Sequence, residues 1–202
     1  MDFFLDTCII IYYYDEKDKY HKSTKKLIES NKFFIISYYQ DKKEIPFLLF
    51  RKKKIISEVI KCSVSPSYRP NLGKFTPKDK IKLNQILSKH KLGEIYQQEL
   101  FSMKKEVLLL EQNINYFTKN KISRKVITLD ELDFILINEL NKVIDNKADC
   151  CILSSAIQEH KKNPLTVITA DKNDWKRTEI KKIVEESKSY NKNPKIEFIQ
   201  NI

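Results

Sequence analysis

The chain has 202 residues, of which 41% are hydrophobic, so it is long enough and apolar enough to bury the core of one large domain. Its formal net charge of +11 favours association with a polyanion such as RNA or DNA, although a lysine-rich background composition explains the charge equally well. Two glycines, without a GxGxxG or Walker A pattern, argue against nucleotide-dependent chemistry.

The first third of the chain predicts a buried strand, a helix and a hairpin. Residues 3–5 and 8–14 are β-branched and aromatic without alternation, as in a strand that is covered on both faces and leads into a helix. Residues 19–30 predict a polar helix, and residues 33–50 predict an inserted hairpin of two strands around QDKKE.

The remaining two thirds predict helices alternating with strands. Helical periodicity over 77–120 predicts a helical insertion. Thr128 and Glu131 form an S/T-x-x-E pattern, which predicts a helix over 129–145. LTVIT and KIEFI predict the last strands. This alternation predicts one α/β domain over 1–202, with a central, mostly parallel sheet flanked by helices.

The cysteine pattern and the absence of long apolar runs predict a cytoplasmic protein. No run of 18 or more apolar residues occurs, so no membrane span is expected. The four cysteines lack zinc-site spacing, which predicts reduced core residues: Cys8, Cys62, Cys150 and Cys151.

Four acidic residues are associated with apolar runs: Asp6 in FFLDTCIII, Glu58 in IISEVIK, Asp149 in ADCCILSSA and Asp171 in LTVITADKNDW. Asp6 and Asp171 follow predicted strands, where α/β sheets bind ligands, and Asp149 opens a predicted helix whose dipole favours an ionised carboxylate. Taken singly, each of these acids is also typical of a turn, a helix start or an exposed strand.

A set of carboxylates without a counter-charge predicts a divalent-metal site. Their mutual repulsion is relieved by a cation, and oxygen ligands favour Mg²⁺ or Mn²⁺ over zinc. Such an ion activates water for attack on phosphorus. The set therefore predicts phosphodiester hydrolysis.

The four blocks together resemble the PIN-domain ribonucleases, a family that includes the VapC-type toxins. The block around Asp6 is similar to the family's opening strand, and VITADKNDW is similar to its T-x-D-x-x-[DN]-[FW] ending. The resemblance implies a PIN-like fold and a metal-dependent endoribonuclease. It implies these site residues: the catalytic acids Asp6, Glu58, Asp149 and Asp171, of which the three aspartates bind metal, and the supporting residues Asp174, Thr7 and Thr169.

The resemblance also implies partners and products. Cleavage would leave a 3′-hydroxyl and a 5′-phosphate on RNA, and a cognate antitoxin and a second copy of the chain are the expected protein partners. Basic residues are candidates for contact with nucleic acid, although such clusters are also typical of solvated faces: Arg51, Lys52, Lys53, Lys172, Lys176 and Arg177.

The main prediction is a VapC-like toxin restrained by an antitoxin, and two other functions remain open at this point. The first alternative is a PIN-type nuclease that acts in phage defence or in RNA or DNA processing without an antitoxin, and the predicted insertions, which lie outside the four blocks, are a point in its favour. The other is a non-catalytic nucleic-acid-binding module, which the presence of all four acids argues against.

Overall fold

The structure is a computed structural model that describes residues 2–30, 33–65, 67–172, 175, 177–187, 189–190 and 192–202, without the side chains of Lys74 and Arg177. It divides into two compact units. The first contains Met1–Ile45 and Asn113–Ile202, and the second, Pro46–Gln112, is inserted in the sequence between those two parts. The single domain over 1–202 stays a prediction.

The first unit contains a five-stranded parallel sheet with the order β3-β2-β1-β4-β5. The α/β class with a parallel central sheet flanked by helices is thereby confirmed. The strands are short runs rich in buried apolar residues, as expected where helices cover both faces of a sheet. Their bounds are β1 Asp2–Leu5, β2 Phe34–Ser37, β3 Ile122–Val126, β4 Leu165–Thr169 and β5 Lys195–Phe198.

The strand order places a topological switch point between β1 and β4. The chain passes from β1 outward to β2 and β3, and then returns to form β4 and β5 on the other side of β1. In open α/β sheets, ligands bind at such a point, beyond the carboxyl ends of the two strands. Asp6 follows β1 and Asp171 lies two residues after β4, so both border this crevice.

The helices of the first unit bury the apolar side chains of the sheet. Phe4, Ile35 and Val167 belong to one core cluster, together with Leu136 of α6 and Leu153 of α7. Burial of these side chains is the main force that holds the helices on the sheet. The helix bounds are α1 Thr7–Tyr14, α2 His21–Ser30, α6 Phe134–Leu140, α7 Lys147–Lys162 and α8 Arg177–Glu186.

The predicted hairpin over 33–50 is wrong. Its first half forms the sheet strand β2, but QDKKE forms a π-helix, Gln40–Glu44, and IPFLLF begins the helix α3, Ile45–Val64. Pro46 follows directly on the π-helix, and its missing N–H removes one backbone donor at the junction between the π-helix and α3. An apolar run of this length does not distinguish a strand from a helix.

The strand predicted for residues 8–14 is also wrong, because this segment belongs to α1. CIIIYYY is apolar on all sides, so it shows no helical periodicity in the sequence. Its β-branched and aromatic composition favours a strand, but Ile9 and Ile10 are fully buried within the helix. Tertiary packing therefore overrides local propensity here.

The helix predicted over 129–145 is shorter than expected. The backbone N–H and the hydroxyl of Thr128 both donate to the Glu131 carboxylate, at 2.7 and 2.9 Å. Helix α6 nevertheless begins only at Phe134, where Asp133 is the N-cap and accepts a hydrogen bond from the Leu136 N–H at 2.9 Å. The S/T-x-x-E pattern thus stabilises a turn that precedes the helix.

The second unit is helical, and helices over the predicted segment 77–120 are confirmed. It contains most of α3, a short 3₁₀ turn, α4 (Pro77–Lys91) and the first part of α5 (Gln97–Asn120). Helix α4 starts with a capping box between Thr76 and Asp79. The core of the unit consists of Ile55, Ile56, Val59, Phe75, Leu83, Ile86 and Leu100.

Membrane insertion by a helix finds no support in the described part of the chain. There, no helix combines the length and the hydropathy that a bilayer span requires.

Candidate active site

Asp6 lies at the carboxyl end of β1 and is held by hydrogen bonds to β4 and to the first turn of α1. Its backbone N–H donates to the Ile168 carbonyl of β4 at 2.9 Å. Asp6 is the N-cap residue of α1, yet its side chain makes no capping hydrogen bond. The carboxylate accepts instead from the Thr169 hydroxyl at 2.7 Å and from the Cys8 thiol at 2.9 Å. The carboxylate is therefore held between the end of β4 and the first turn of α1.

Burial sets the electrostatics of Asp6. The residue is 5% exposed. Burial raises the pKa of its carboxyl above the ordinary value, and the nearby charge of Asp171 raises it further, whereas hydrogen bonds from Cys8 and Thr169 oppose the shift. The hydroxyl of Thr169 and the thiol of Cys8 thus offset part of the desolvation of this carboxylate.

Glu44 is a second carboxylate at this edge of the first unit, and it is half-buried. It is the last residue of the π-helix that follows β2, and it accepts a hydrogen bond from the Thr7 hydroxyl. Single π-turns occur frequently at functional sites. Glu44 was not among the residues that the sequence predicted.

Gln40 fixes the π-helix to the end of β1. Its amide nitrogen donates to the Leu5 carbonyl at 2.8 Å and to the Thr7 hydroxyl at 3.2 Å. Its amide oxygen accepts from the Ser37 N–H at 2.8 Å. The fully buried Gln40 side chain therefore connects the turn after β2 to the segment that carries Asp6, and it positions Glu44.

The carboxylates are coupled through their charges. Burial raises the pKa of Glu44 from 4.5 to about 8, and the charges of Asp6 and Asp149 add to the shift, whereas the hydrogen bond from Thr7 opposes it. Tyr39 lies in the same field: burial raises the pKa of its phenol to about 12, with contributions from Cys151, Glu44 and Asp149. The edge of the sheet thus concentrates negative charge in a partly desolvated setting.

Asp149 and Asp171 occupy the positions that the sequence predicted for them. Asp149 lies in the first turn of α7, whose N-cap is Asn146. The Asp149 residue is 8% exposed. The Asp171 N–H donates at 3.1 Å to the Thr169 hydroxyl, the group that donates to Asp6. The predicted contacts of Thr7 and Thr169 with carboxylates of the site are also present.

Glu58 belongs to the second unit, where it forms an ion pair. Its carboxylate accepts from Lys61 Nζ at 2.7 Å and from the Tyr68 hydroxyl at 2.6 Å. Burial disfavours the charge of Glu58, but the hydrogen bonds from Lys61 and Tyr68 outweigh it and hold the pKa below its ordinary value. Its predicted place in the catalytic set stays a prediction; the carboxylate that is coupled to Asp6 and Asp149 is Glu44.

The basic residues predicted to contact nucleic acid differ in their interactions: some form ion pairs, one lines a cavity and one is exposed. Arg51 binds Asp79 through two nitrogens, with Nη2 and Nε at 2.6 and 2.9 Å from its oxygens. Lys53 pairs with Glu111 at 2.7 Å. These two side chains are therefore engaged within the second unit. Lys52 lines a cavity of that unit, and Lys172 is exposed, with its ammonium 5.7 Å from the centre of the Phe198 ring.

Three further predicted residues fall wholly or partly outside the described residues: Asp174, Lys176 and the side chain of Arg177.

The carboxylates fit a divalent cation by chemistry, although they are not arranged as a finished ligand set. Within the described residues, no group of three or more His, Cys, Asp or Glu side chains is close enough together to hold a metal ion. Buried Asp6 and half-buried Glu44 are nonetheless acids whose pKa values are raised by desolvation and by neighbouring carboxylates. A divalent cation offsets that repulsion, and carboxylate oxygens suit Mg²⁺ or Mn²⁺.

Comparisons of this chain with protein-family models, with curated proteins and with solved structures found no match.

Proposed function

We propose that this protein is a metal-dependent endoribonuclease with a PIN-like fold. The observation that carries the proposal is the charge coupling of Glu44 to Asp6 and Asp149 at the carboxyl edge of the parallel sheet. Acids with shifted pKa values, such as Asp6 and Glu44, are typical of a catalytic centre when they lie near the carboxyl ends of parallel strands. The four sequence blocks that resemble the PIN-domain ribonucleases support the same reaction.

In this proposal, Asp6, Glu44, Asp149 and Asp171 hold Mg²⁺ or Mn²⁺. The bound ion supplies the Lewis acidity that phosphodiester hydrolysis requires. Burial and mutual repulsion disfavour the ionised carboxylates of Asp6 and Glu44. A divalent cation would bind these carboxylates and offset the repulsion.

Neutral hydrogen-bond donors orient these carboxylates. Thr169 and Cys8 hold one oxygen of Asp6, so the other oxygen is left for a ligand. Thr7 holds one oxygen of Glu44 in the same way. Groups in this position typically change metal affinity or activity by about 10–100-fold. Thr7, Cys8 and Thr169 are therefore positioning residues.

RNA is the proposed substrate because the resemblance points to ribonucleases and the net charge of +11 favours a polyanion. The proposed biological setting is a toxin restrained by a cognate antitoxin, which would be a small partner protein, with a homodimer as the working form. A small neighbouring reading frame with a DNA-binding motif would support this setting. Its absence would favour a nuclease that works without an antitoxin.

A cleavage assay tests the proposed reaction. Labelled single-stranded RNA and DNA are incubated with the protein in Mg²⁺, Mn²⁺ or EDTA, beside Asp6→Asn and Glu44→Gln. Asp145→Asn and Glu16→Gln are matched controls, because both residues belong to the first unit and Glu16 and Asp145 are exposed. We expect metal-dependent RNA cleavage that only the site variants lose. Cleavage in EDTA, or equal loss in the controls, would refute the carboxylate mechanism.

A further inference from the structure

The second unit carries most of the positive charge of the protein. Its 67 residues contain 14 Lys and Arg and 6 Asp and Glu, a net charge of +8, whereas the 135 residues of the first unit have a net charge of +3. Three of its six acids are already paired, in the ion pairs Arg51–Asp79, Lys53–Glu111 and Lys61–Glu58. The excess charge therefore resides on other lysines.

Three of these lysines form a row along the outer face of α4. Lys78, Lys82 and Lys89 are four and seven residues apart, which places them within about 40° around a helix of 3.6 residues per turn. All three are exposed. Within the described part of the chain, none of them forms an ion pair or a side-chain hydrogen bond. The row extends over about 16 Å at a rise of about 1.5 Å per residue.

A small cavity opens beside this row, within the second unit. It measures about 120 Å³ and is lined by Ile55 and Ile56 of α3, Ile86 of α4, and Met103 and Val107 of α5. The polar groups that line it are Lys52, Lys82 and Glu106. Pockets for drug-sized ligands measure about 300–1,000 Å³, so this cavity suits a single ring system.

We propose that the outer face of α4 and the adjoining cavity bind single-stranded RNA. Lys78, Lys82 and Lys89 contact successive parts of the phosphate backbone, and the cavity receives one unstacked base. Unpaired strands expose both of these groups, whereas a duplex hides its bases. The choice of RNA among polyanions rests on the proposed function, but the binding itself needs neither metal nor cleavage.

The distribution of apolar side chains on α4 argues against a lipid surface as the partner. Leu83 and Ile86 are buried in the core of the unit, and Leu87 packs against that core. Ile81 is the large apolar side chain of α4 that is exposed, at 58%. A helix that lies in a membrane interface inserts a broad apolar face. The apolar face of α4 is instead packed into the core of the second unit.

Binding in EDTA tests the lysine row without cleavage. The full-length protein is titrated into labelled single-stranded RNA at several salt concentrations, and fluorescence anisotropy is recorded. The test variant is Lys78→Gln, Lys82→Gln and Lys89→Gln combined. The matched control is Lys22→Gln, Lys25→Gln and Lys121→Gln combined, which removes the same charge from exposed positions of the first unit.

The expected result is a loss of affinity confined to the α4 variant. Loss of three phosphate contacts makes the slope of log K against log salt shallower by about 2, at about 0.7 per contact for single strands. We also expect at least tenfold weaker binding near physiological salt, with the control within twofold of the native protein. Equal affinities of the two triple variants, or binding of phosphatidylserine vesicles in place of RNA, would overturn the proposal.

Filling the cavity tests the base-binding part separately. Met103→Phe should weaken RNA binding several-fold and leave inorganic polyphosphate as an unchanged competitor, since polyphosphate has no base. A thermal unfolding curve like that of the native protein shows that the variant is folded. Unchanged RNA affinity in a folded Met103→Phe protein would remove the cavity from the binding surface.

The cleavage assay and the binding assay test the two proposals separately. If Asp6→Asn abolishes cleavage but the two triple variants bind RNA equally, the proposed function stands and this inference falls. If the native protein does not cleave RNA but the α4 variant loses RNA binding, the inference stands and the proposed function falls.

Discussion

The Thr169 hydroxyl donates a hydrogen bond to Asp6 Oδ2 at 2.7 Å and so joins the ends of two neighbouring parallel strands. The same hydroxyl accepts from the Asp171 N–H at 3.1 Å. One side chain at the end of β4 thus fixes both the carboxylate after β1 and the backbone of the acid after β4. The two acids are held together before any ligand arrives.

Thr169→Val should destabilise the first unit. The valine keeps the shape but removes the hydroxyl donor of Asp6 Oδ2 and leaves that oxygen with the weaker Cys8 thiol alone. Hydrogen bonds to charged groups contribute about 1.5–3 kcal/mol. We expect the free energy of unfolding in urea at pH 7 to fall by about that amount. Thr169→Ser, which keeps the hydroxyl, should stay within about 1 kcal/mol of the native protein. A Val variant as stable as the Ser variant would show that this bond contributes nothing.

Glu44→Gln should stabilise the protein at pH 8. The pKa of Glu44 is 4.5 as an ordinary side chain and about 8 in the fold. Between these values the folded protein binds more protons than the unfolded chain, so the stability that neutral Glu44 contributes is present below pH 4.5 and is lost as pH rises through 8. Glutamine is neutral at every pH. We expect a gain on the order of 1–3 kcal/mol at pH 8.

Thermal unfolding from pH 5 to pH 9 measures this effect, at about 2–4 °C for each kcal/mol in a chain of this size. The difference in melting temperature between Glu44→Gln and the native protein should grow as pH rises. Glu58→Gln serves as the control with the opposite sign, because ion pairing holds the pKa of Glu58 below its ordinary value. A Glu44→Gln effect that does not change with pH would contradict the shifted pKa.

Arg51→Lys should destabilise the second unit by about 1–3 kcal/mol, because lysine cannot form the two-nitrogen contact with Asp79. Asp79 also caps α4, so the loss should appear as faster hydrogen exchange in the first turn of α4. Lys78→Arg, which changes an exposed side chain of the same helix, is the control. Unchanged exchange in Arg51→Lys would argue that Arg51 is free to contact nucleic acid.

Glu44 and Glu58 can be separated by activity. Under the proposed function, Glu44→Gln should lower metal-dependent RNA cleavage by at least about 100-fold, the upper end of the effect seen for groups that only support a metal ligand. Glu58→Gln should leave cleavage within a few-fold, because its carboxylate is engaged by Lys61 and Tyr68. Rates measured under single-turnover conditions check both values. A severe loss in Glu58→Gln alone would show that Glu58 acts in catalysis, as the sequence predicts, and that Glu44 does not.

The sheet was predictable where its strands are apolar runs that end in acids. The runs before Asp6 and Asp171 have this pattern, and both acids lie where the sequence placed them. The error over 33–50 arose because the residues that follow β2 carry no periodic signal. A π-helix leads there directly into α3, and its conformation depends on the bonds of Gln40 to β1, which are formed only in the fold.

Glu44 escaped prediction for the same reason. It lies in the polar segment QDKKE, which is typical of an exposed turn, and burial by the fold raises its pKa. The signal that was present is its place shortly after a fully buried strand that precedes a long helix. Glu58 stood in a more convincing apolar context, but that context is the core side of α3.

Direct binding of Mn²⁺ tests the central claim, which is that the carboxylates at the sheet edge hold a divalent cation. Mn²⁺ is titrated into the native protein, Asp6→Asn, Glu44→Gln and the exposed control Glu16→Gln, and the free ion is quantified by electron paramagnetic resonance. The account predicts saturable binding to the native and control proteins, with affinity at least tenfold weaker in Asp6→Asn and Glu44→Gln. No saturable binding by the native protein, or equal binding by all four proteins, would contradict it.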